Sequence, residues 1–305
     1  MSAAIIIPAY NAGTWIAEAI ESALAQTQPA ASVVVVDDGS TDNTAMVAEQ
    51  FDDAVMLLRQ RNAGVSAARN HGAAQATAEW LLFLDADDRL RPDALATLSA
   101  RAAQSGAAAA YGQCADFDEN GTAGVPRGDG SMQGSPPAAA KAAFWKAPIS
   151  TPGAALIRRA EFEQAGAWDV RFNTTADRDL WCRLGVLAGF AFVPKTVVER
   201  RVHGSNMSAD KNRARRQAVE VQLAFLEWCA GRGITADFLE TSETAIFERN
   251  AVRAVEERAF AAAEWIAGGA EARGISTAAL ARARRLAAMP AFARELELKV
   301  RGFFS

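Results

Sequence analysis

The chain has 305 residues, half of them apolar, and a formal net charge of -4. This length holds one large domain, or one domain with an appendage, and the charge excludes a nucleic-acid binder driven by a bulk positive field. Cys114, Cys182 and Cys229 are too widely spaced for a disulfide framework or a structural zinc site, which predicts a reducing compartment.

The elements follow in order. Ile5-Ile6-Ile7 is an apolar β-type run that Pro8 is expected to end, so no secretory signal is read there. Residues 14–26 have helical spacing through Trp15, Ile16, Ala19, Ile20, Ala23 and Leu24. Val33–Val36 is a second buried strand, and Ser40, Thr41 or Asp42 is placed to cap the helix that runs through residue 51. Val55–Leu58 is a third strand, and Gly64 to Ala76 a helix after a turn. Leu81-Leu82-Phe83-Leu84 then runs into Asp85-Ala86-Asp87-Asp88. Unbroken apolar strands alternating with helices predict a parallel sheet covered on both faces. Ligands bind beyond the carboxyl ends of such strands, where Pro8–Asn11, Asp37–Asp42 and Asp85–Asp88 all fall.

A helix is expected from Pro92 to about Ala103, a strand up to Phe117, and a mobile loop over 121–137. Ala154–Ile157 reads as a strand, Glu161–Ala165 as a short helix, and Thr174–Asp177 as the cap of a helix reaching Leu187. Phe190–Pro194 and Val197–Val202 are extended. Residues 210–305 predict three or four helices, broken near Gly231–Gly233, Gly268–Gly274 and Pro290. No segment reads as a membrane span, so a soluble cytoplasmic protein is expected, with contact at the inner membrane face left open.

Three acids within four residues at the end of a buried strand repel one another unless a cation lies between them. A divalent metal with oxygen ligands is one solution. For that octapeptide alone, an acidic loop facing water is the other.

Taken together, Pro8-Ala-Tyr10-Asn11, Asp37-Asp38-Gly39-Ser40-Thr-Asp42, Asn62-Ala-Gly64 with Ala68-Arg69-Asn70, and Asp85-Ala86-Asp87-Asp88 resemble family 2 glycosyltransferases of the GT-A fold. Ala176-Asp177-Arg-Asp179 resembles that family's Glu-Asp-x-Asp helix, with Ala176 in place of the usual Glu, and Arg201-Val-His203-Gly-Ser205 resembles its closing segment. The resemblance implies an α/β fold: a GT-A type, Rossmann-like, mostly parallel sheet flanked by helices. Residues 1–208 would be the nucleotide-sugar-binding catalytic domain and 209–305 a helical extension.

The resemblance further implies a UDP-sugar or other nucleotide-sugar donor and a carbohydrate or lipid-linked glycan acceptor, with inversion and one sugar added per encounter. It places Pro8, Tyr10, Asn11, Asp38, Arg69, Asp85, Ala86 and His203 around the nucleotide. Asp87, assisted by Asp88, would hold Mg²⁺ or Mn²⁺, and Asp177 would be the general base, with Asp179 the alternative. His71 reads as structural, Trp181 as acceptor pocket or core, and Arg200 and Arg201 as phosphate contacts or a solvated pair. A nucleotidylyltransferase is the competing enzyme class, but Pro8–Gly13 supplies no Gly-rich phosphate loop with a cation. A non-catalytic binding protein is the other alternative, and it would be expected to have lost the acids. The segment 280–305 is basic and amphipathic (Arg282, Arg284, Arg285, Arg294, Lys299 and Arg301, with Leu286, Met289, Phe292, Leu296 and Val300). It suits packing on the protein's own domain, a homodimer contact, or an anionic membrane surface.

Overall fold

The computed structural model describes residues 1–118, 121, 124–146, 148–204 and 210–300; for Phe292, Leu296, Lys299 and Val300 only the backbone is described. The chain divides into two compact units, Met1–Gly204 and Ser205–Ser305.

The first unit opens with β1 (Ala3–Ala9), α1 (Ile16–Leu24), β2 (Ser32–Asp37), α2 (Thr44–Glu49), β3 (Met56–Arg59), α3 (Val65–Gln75) and β4 (Trp80–Phe83). It continues through β5 (Arg89–Leu90), α4 (Ala94–Ser105), β6 (Ala109–Phe117), α5 (Ala138–Lys146), β7 (Ala155–Arg158), α6 (Arg159–Gln164), α7 (Ala176–Leu187) and β8 (Phe190–Arg201). All eight strands form one sheet in the order β3-β2-β1-β4-β7-β6-β8-β5. The first four are mutually parallel, and β6 and β8 are also parallel. β7 runs against β4 and β6, and β5 against β8. The expected α/β, mostly parallel sheet is therefore present, with two reversed strands in its second half. Ile5–Ile7, Val33–Val36 and Leu81–Phe83 are buried, as required of strands covered on both faces.

Several local expectations need correction. β1 does not stop at Pro8 but pairs with β2 as far as Ala9↔Asp37. Its pairing with β4 ends earlier, at Ile6↔Phe83. Successive residues of a strand alternate the side to which their backbone groups point. Ile6 O accepts from Leu84 and Ala9 O from Asp38, so the missing N–H of Pro8 lies on the β4 side, where no partner strand remains. The 121–137 segment, expected to be mobile, is anchored where it is described. Cys114 and Arg127 bridge through their backbones. The Tyr111 hydroxyl donates to Asp129 O at 2.8 Å and accepts from Met132 N–H at 3.1 Å. β5 and α5 were not anticipated. β5 has two residues, and α5 is an alanine-rich stretch without a clear apolar stripe.

α5 packs on α7 at a close approach that only glycine permits. A Cβ on Gly185 would lie 2.4 Å from Ala140 N and 2.7 Å from Ala140 Cα.

The second unit comprises α8 (Lys211–Ala230), α9 (Glu243–Glu256), α10 (Phe260–Glu271), α11 (Ala278–Ala288) and α12 (Ala291–Val300). These are five helices rather than three or four. The uncounted break, between α9 and α10, has no glycine or proline and turns at Arg258, with φ 61°. α10 runs through Gly268 and Gly269, and the stop comes only at Gly274 (φ 72°). In α11, Leu280, Ala283 and Leu286 are buried. Arg284 pairs with Glu271, Arg285 with Glu297 at 2.6 Å, and Arg294 lies 3.8 Å from the Phe260 ring centre. These arginines have partners within their own unit. The Phe292, Leu296 and Val300 side chains and residues 301–305, part of the expected amphipathic face, lie outside the described side chains. Among the described residues, no helix is long and apolar enough to cross a membrane.

Gly185→Ala forces α5 and α7 apart. Equilibrium urea unfolding should show a loss of about 1–3 kcal/mol, the usual scale of overpacking.

Candidate active site

Beyond Ile6↔Phe83 the carboxyl ends of β1 and β4 no longer pair. Two loops on the β1–β2 side are tied to each other. Asn11 N–H donates to Ser40 Oγ at 3.0 Å, and Asn11 Oδ1 accepts from Thr41 N–H at 2.8 Å. Ala12 N–H donates to Thr44 Oγ1 and Gly13 N–H to Asp42 Oδ2. Asn11 adopts φ 50°, a conformation its short polar side chain tolerates. Asp42 also accepts from Thr44 N–H at 3.0 Å, two residues on. Asn43 precedes the first residue of α2, and no side chain caps that position. Tyr10, just before these ties, is 52% exposed.

Asp38 is buried and accepts three hydrogen bonds, from Gln60 Nε2 (2.7 Å), Ala63 N–H (2.8 Å) and Gly64 N–H (2.8 Å). It therefore builds the 60–64 turn, a role not visible in the sequence. Gly39 and Gly64 both need φ in the left-handed half, 74° and 91°, and a Cβ on Gly39 would meet Asn62 N at 2.8 Å. His71 is structural, as expected: its Nδ1 lies 2.8 Å from Gln60 Oε1.

From this turn α3 projects three side chains that hold the far wall. Ser66 Oγ donates to Phe172 O at 2.7 Å. Asn70 clamps Trp168 at both backbone groups, at 2.8 and 3.0 Å. Arg69, buried between them, pairs with Asp85 Oδ1 at 2.6 Å and lies 4.4 Å over the Trp168 ring. Its Nε has no acceptor among the described residues.

The three acids after β4 have three different environments. Asp85 faces Arg69. Asp87 Oδ2 meets His203 Nε2 at 2.9 Å, and the imidazole stacks on Trp15 with ring centres 4.1 Å apart. Burial, then the neighbouring Asp85 charge, raises the Asp87 pKa, and His203 only partly offsets this. Asp88 points into the fold. Its Oδ1 accepts from Arg201 N–H at 3.0 Å, and its Oδ2 lies 3.1 Å from Thr151 Oγ1. Burial and the two acidic neighbours push its pKa well above the usual carboxylate range. Thr151 also lies 3.4 Å from Asp85 Oδ2. One hydroxyl proton cannot serve two carboxylates at once, so Thr151 links Asp85 and Asp88 without satisfying both. Sequence reasoning missed Thr151, which lies in an irregular stretch with no pattern of its own. Ala86, between the acids, is buried.

Arg200 and Arg201 brace the strand ends. Arg200 pairs with Asp116 at 2.9 Å. Arg201 pairs with Glu18, donates to Asp87 O at 3.1 Å and lies over Phe117.

On the opposite wall, Asp177 is the second residue of α7 and accepts from Arg178 N–H at 2.8 Å. It keeps some accessible surface, yet burial raises its pKa to about 6, with the Arg69, Asp85 and Arg178 charges also acting on it. Asp179, the alternative base, instead forms a buried ion pair with Arg183, which donates from Nε at 3.0 Å. Trp181 is fully buried between Trp168 and Phe190, which assigns it to the core.

Among the described residues, no cluster of three or more His, Cys, Asp or Glu side chains could hold a metal alone. The donors nonetheless fit a hard cation that takes one or two carboxylates and completes its shell with phosphate and water. Asp85 and Asp87 repel each other across the site, and a cation would remove that penalty.

Comparison with known proteins agrees with this architecture. Residues 4–166 match the model of Glycosyl transferase family 2, more than half the chain, and the protein belongs to that family. An uncharacterized glycosyltransferase of Escherichia coli strain K12, YibD, is 42% identical over 97 residues, 31% of this chain and 28% of that protein. The succinoglycan biosynthesis protein ExoO of Rhizobium meliloti strain 1021 is 46% identical over 104 residues, 33% of this chain and 30% of that protein. The matched stretch thus spans less than a third of either relative. Residues 1–349 of S. aureus TarS, solved in complex with UDP-GlcNAc, superpose with a TM-score of 0.62 at 19% identity, covering 99% of this chain and 92% of that one. That likeness is one of fold.

Asp179→Ala leaves Arg183 buried without its partner and should cost about 3–5 kcal/mol in urea unfolding. Asp177→Ala breaks no ion pair found among the described residues and removes a carboxylate that burial disfavours, so it should leave the unfolding midpoint at neutral pH undiminished.

Proposed function

We propose that the protein is an inverting glycosyltransferase that moves a sugar from a nucleoside diphosphate sugar, a UDP-sugar first, to a hydroxyl of a carbohydrate or lipid-linked glycan. The observation that carries this reading is electrostatic. A carboxyl with a pKa near 6, Asp177, shares one site with Arg69 and the Asp85 end of the acidic strand. That pairs a proton acceptor on one wall with a charged platform for a leaving diphosphate on the other. ExoO is a succinoglycan biosynthesis protein and TarS was solved with UDP-GlcNAc, which supports polysaccharide assembly and a uridine donor.

In this mechanism Tyr10 offers its face to the base, and Pro8 and Asn11 shape the loops beside it. Asp38 has three accepted bonds and roughly four lone-pair positions, which leaves one for a base N–H. Asp85 and the Ala86 backbone approach the ribose and diphosphate. The buried Arg69 adds positive charge near the diphosphate, with its Nε as an unmet donor. Asp87 would hold Mg²⁺ or Mn²⁺, with His203 alongside, and Asp88, held beneath by Thr151 and the Arg201 N–H, would assist only by fixing the loop that carries Asp87. The bound cation would neutralise charge on the leaving diphosphate. Asp177 takes the acceptor hydroxyl's proton as the oxygen bonds to the anomeric carbon. The bond from that carbon to the phosphate oxygen breaks on the opposite face, its electron pair leaving with the diphosphate. Residues 1–208 carry these groups in this reading, and the protein works in the cytoplasm. The helices beyond residue 209 would pack on a second copy or approach a membrane.

Incubating the protein and Mn²⁺ with a panel of sugar nucleotides should release nucleoside diphosphate from one donor, UDP-linked first. Asp177→Asn should slow transfer by about 10²–10⁴-fold with the fold retained. Because the base must be ionised, kcat/KM should rise with pH through about 6 and lose this limb in the variant. The linkage has the opposite sign for stability. A carboxyl whose folded pKa exceeds its unfolded value favours the folded state only while protonated. Wild-type Tm should therefore fall relative to Asp177→Asn as pH rises from 4 to 7.

A further inference from the structure

The β1–α1 loop and the acidic strand end meet through one aromatic contact. Trp15 is the residue immediately before α1, four residues after Asn11 and five after the exposed Tyr10. Its indole lies against the His203 imidazole, with ring centres 4.1 Å apart and planes 24° from parallel. His203 comes from the end of β8, remote in sequence, and only 8% of its side chain is exposed. Its Nε2 is 2.9 Å from Asp87 Oδ2. A carboxylate only accepts, so this contact requires the proton on Nε2.

We propose that Trp15 is a positioning residue that fixes the plane of His203 and, through it, the Asp87 carboxyl that faces the donor's diphosphate. This rests on the nucleotide-sugar reading above. A hydrogen bond from an imidazole edge is directional and weakens steeply as the ring leaves the plane of its acceptor. The ring can swing about its side-chain torsions unless a face is held. Trp15 holds one face in a close, near-parallel stack. The anchor of Trp15 is firm because its loop is tied down on both sides. Ala12 O accepts from both Trp15 N–H and Ile16 N–H, at 2.9 Å each. Ala12 N–H and Gly13 N–H are themselves bonded to the β2–α2 loop. The loop that offers Tyr10 to the base therefore also sets the carboxyl at the phosphate end. Base recognition and diphosphate handling share one rigid piece of backbone. By periodicity alone Trp15 reads as the first apolar residue of α1, and the helix in fact starts at Ile16.

Two measurements test this. The chain has only two histidines, so each imidazole gives a resolvable NMR signal. In the wild type without metal, the indole ring current should shift His203 upfield, and Trp15→Leu, which keeps apolar bulk but no stacking face, should abolish that shift. In calorimetric titration with Mn²⁺, Trp15→Leu should weaken UDP binding about tenfold, the scale for losing an outer partner of a ligating group. Trp15→Phe should restore most of it. In a His203→Ala background Trp15→Leu should have no further effect, because residues that act as a unit are not additive. An unmoved His203 signal, an additive cycle, or an equal loss of UDP binding without Mn²⁺ overturns the inference. If the wild type itself binds no UDP with Mn²⁺, the nucleotide-sugar reading fails, and this inference with it.

Discussion

A buried guanidinium organises the candidate site. Arg69 is 4% exposed, and a charge so placed needs a partner of opposite sign close by. Asp85 supplies it at 2.6 Å, from the end of β4. The aromatic face of Trp168 supplies the rest, and Asn70 on the next residue holds Trp168 by its backbone. Four constraints thus meet on one turn of α3. They hold the strand that carries the acids and the segment leading into α7 in one frame. Asp177, at the start of α7, falls within the field of both Arg69 and Asp85 as a consequence.

The same frame explains why the acids after β4 differ so much. They occupy four consecutive positions with Ala86, yet each finds a different counterpart: a guanidinium, an imidazole, and a backbone N–H with a hydroxyl. Asp85 is paired with a fixed cation, Arg69. Asp88 is sequestered against β8, where burial favours its protonated form. Asp87 is left as the acid whose charge is opposed by burial and by Asp85 and only partly relieved by His203. Two carboxylates of like charge that act on each other, as Asp85 and Asp87 do, make an environment that favours a cation.

Much of this frame was legible in the sequence, and the reasons for the failures are specific. Apolar runs ending in Pro, Asp-Gly and Asp-x-Asp marked β1, β2 and β4, because parallel strands buried on both faces leave no polar positions inside. Those runs also placed the polar clusters at one edge of the sheet. Pro8 misled because proline usually ends pairing, whereas here β4 has already turned away. Thr151, the Asn70–Trp168 clamp and the Trp15–His203 stack join residues far apart in sequence, and no local period records such contacts. The turn-building role of Asp38 escaped for the same reason, since its donors lie more than twenty residues on. α5 was missed because its alanines carry no amphipathic stripe, and its position is set by the Gly185 approach. In the helical unit, glycines inside α10 resembled breaks because tertiary packing overrides their weak helix propensity.

The central claim is that Arg69, Asp85 and Asp87 form one electrostatic platform for a nucleoside diphosphate. Isothermal titration of UDP against the wild type and Asp87→Ala, each with and without Mn²⁺, tests it most directly. The account predicts binding that strengthens with Mn²⁺ in the wild type and loses that dependence in the variant. UDP affinity indifferent to Mn²⁺ in the wild type, or a Mn²⁺ dependence that survives Asp87→Ala unchanged, would contradict it.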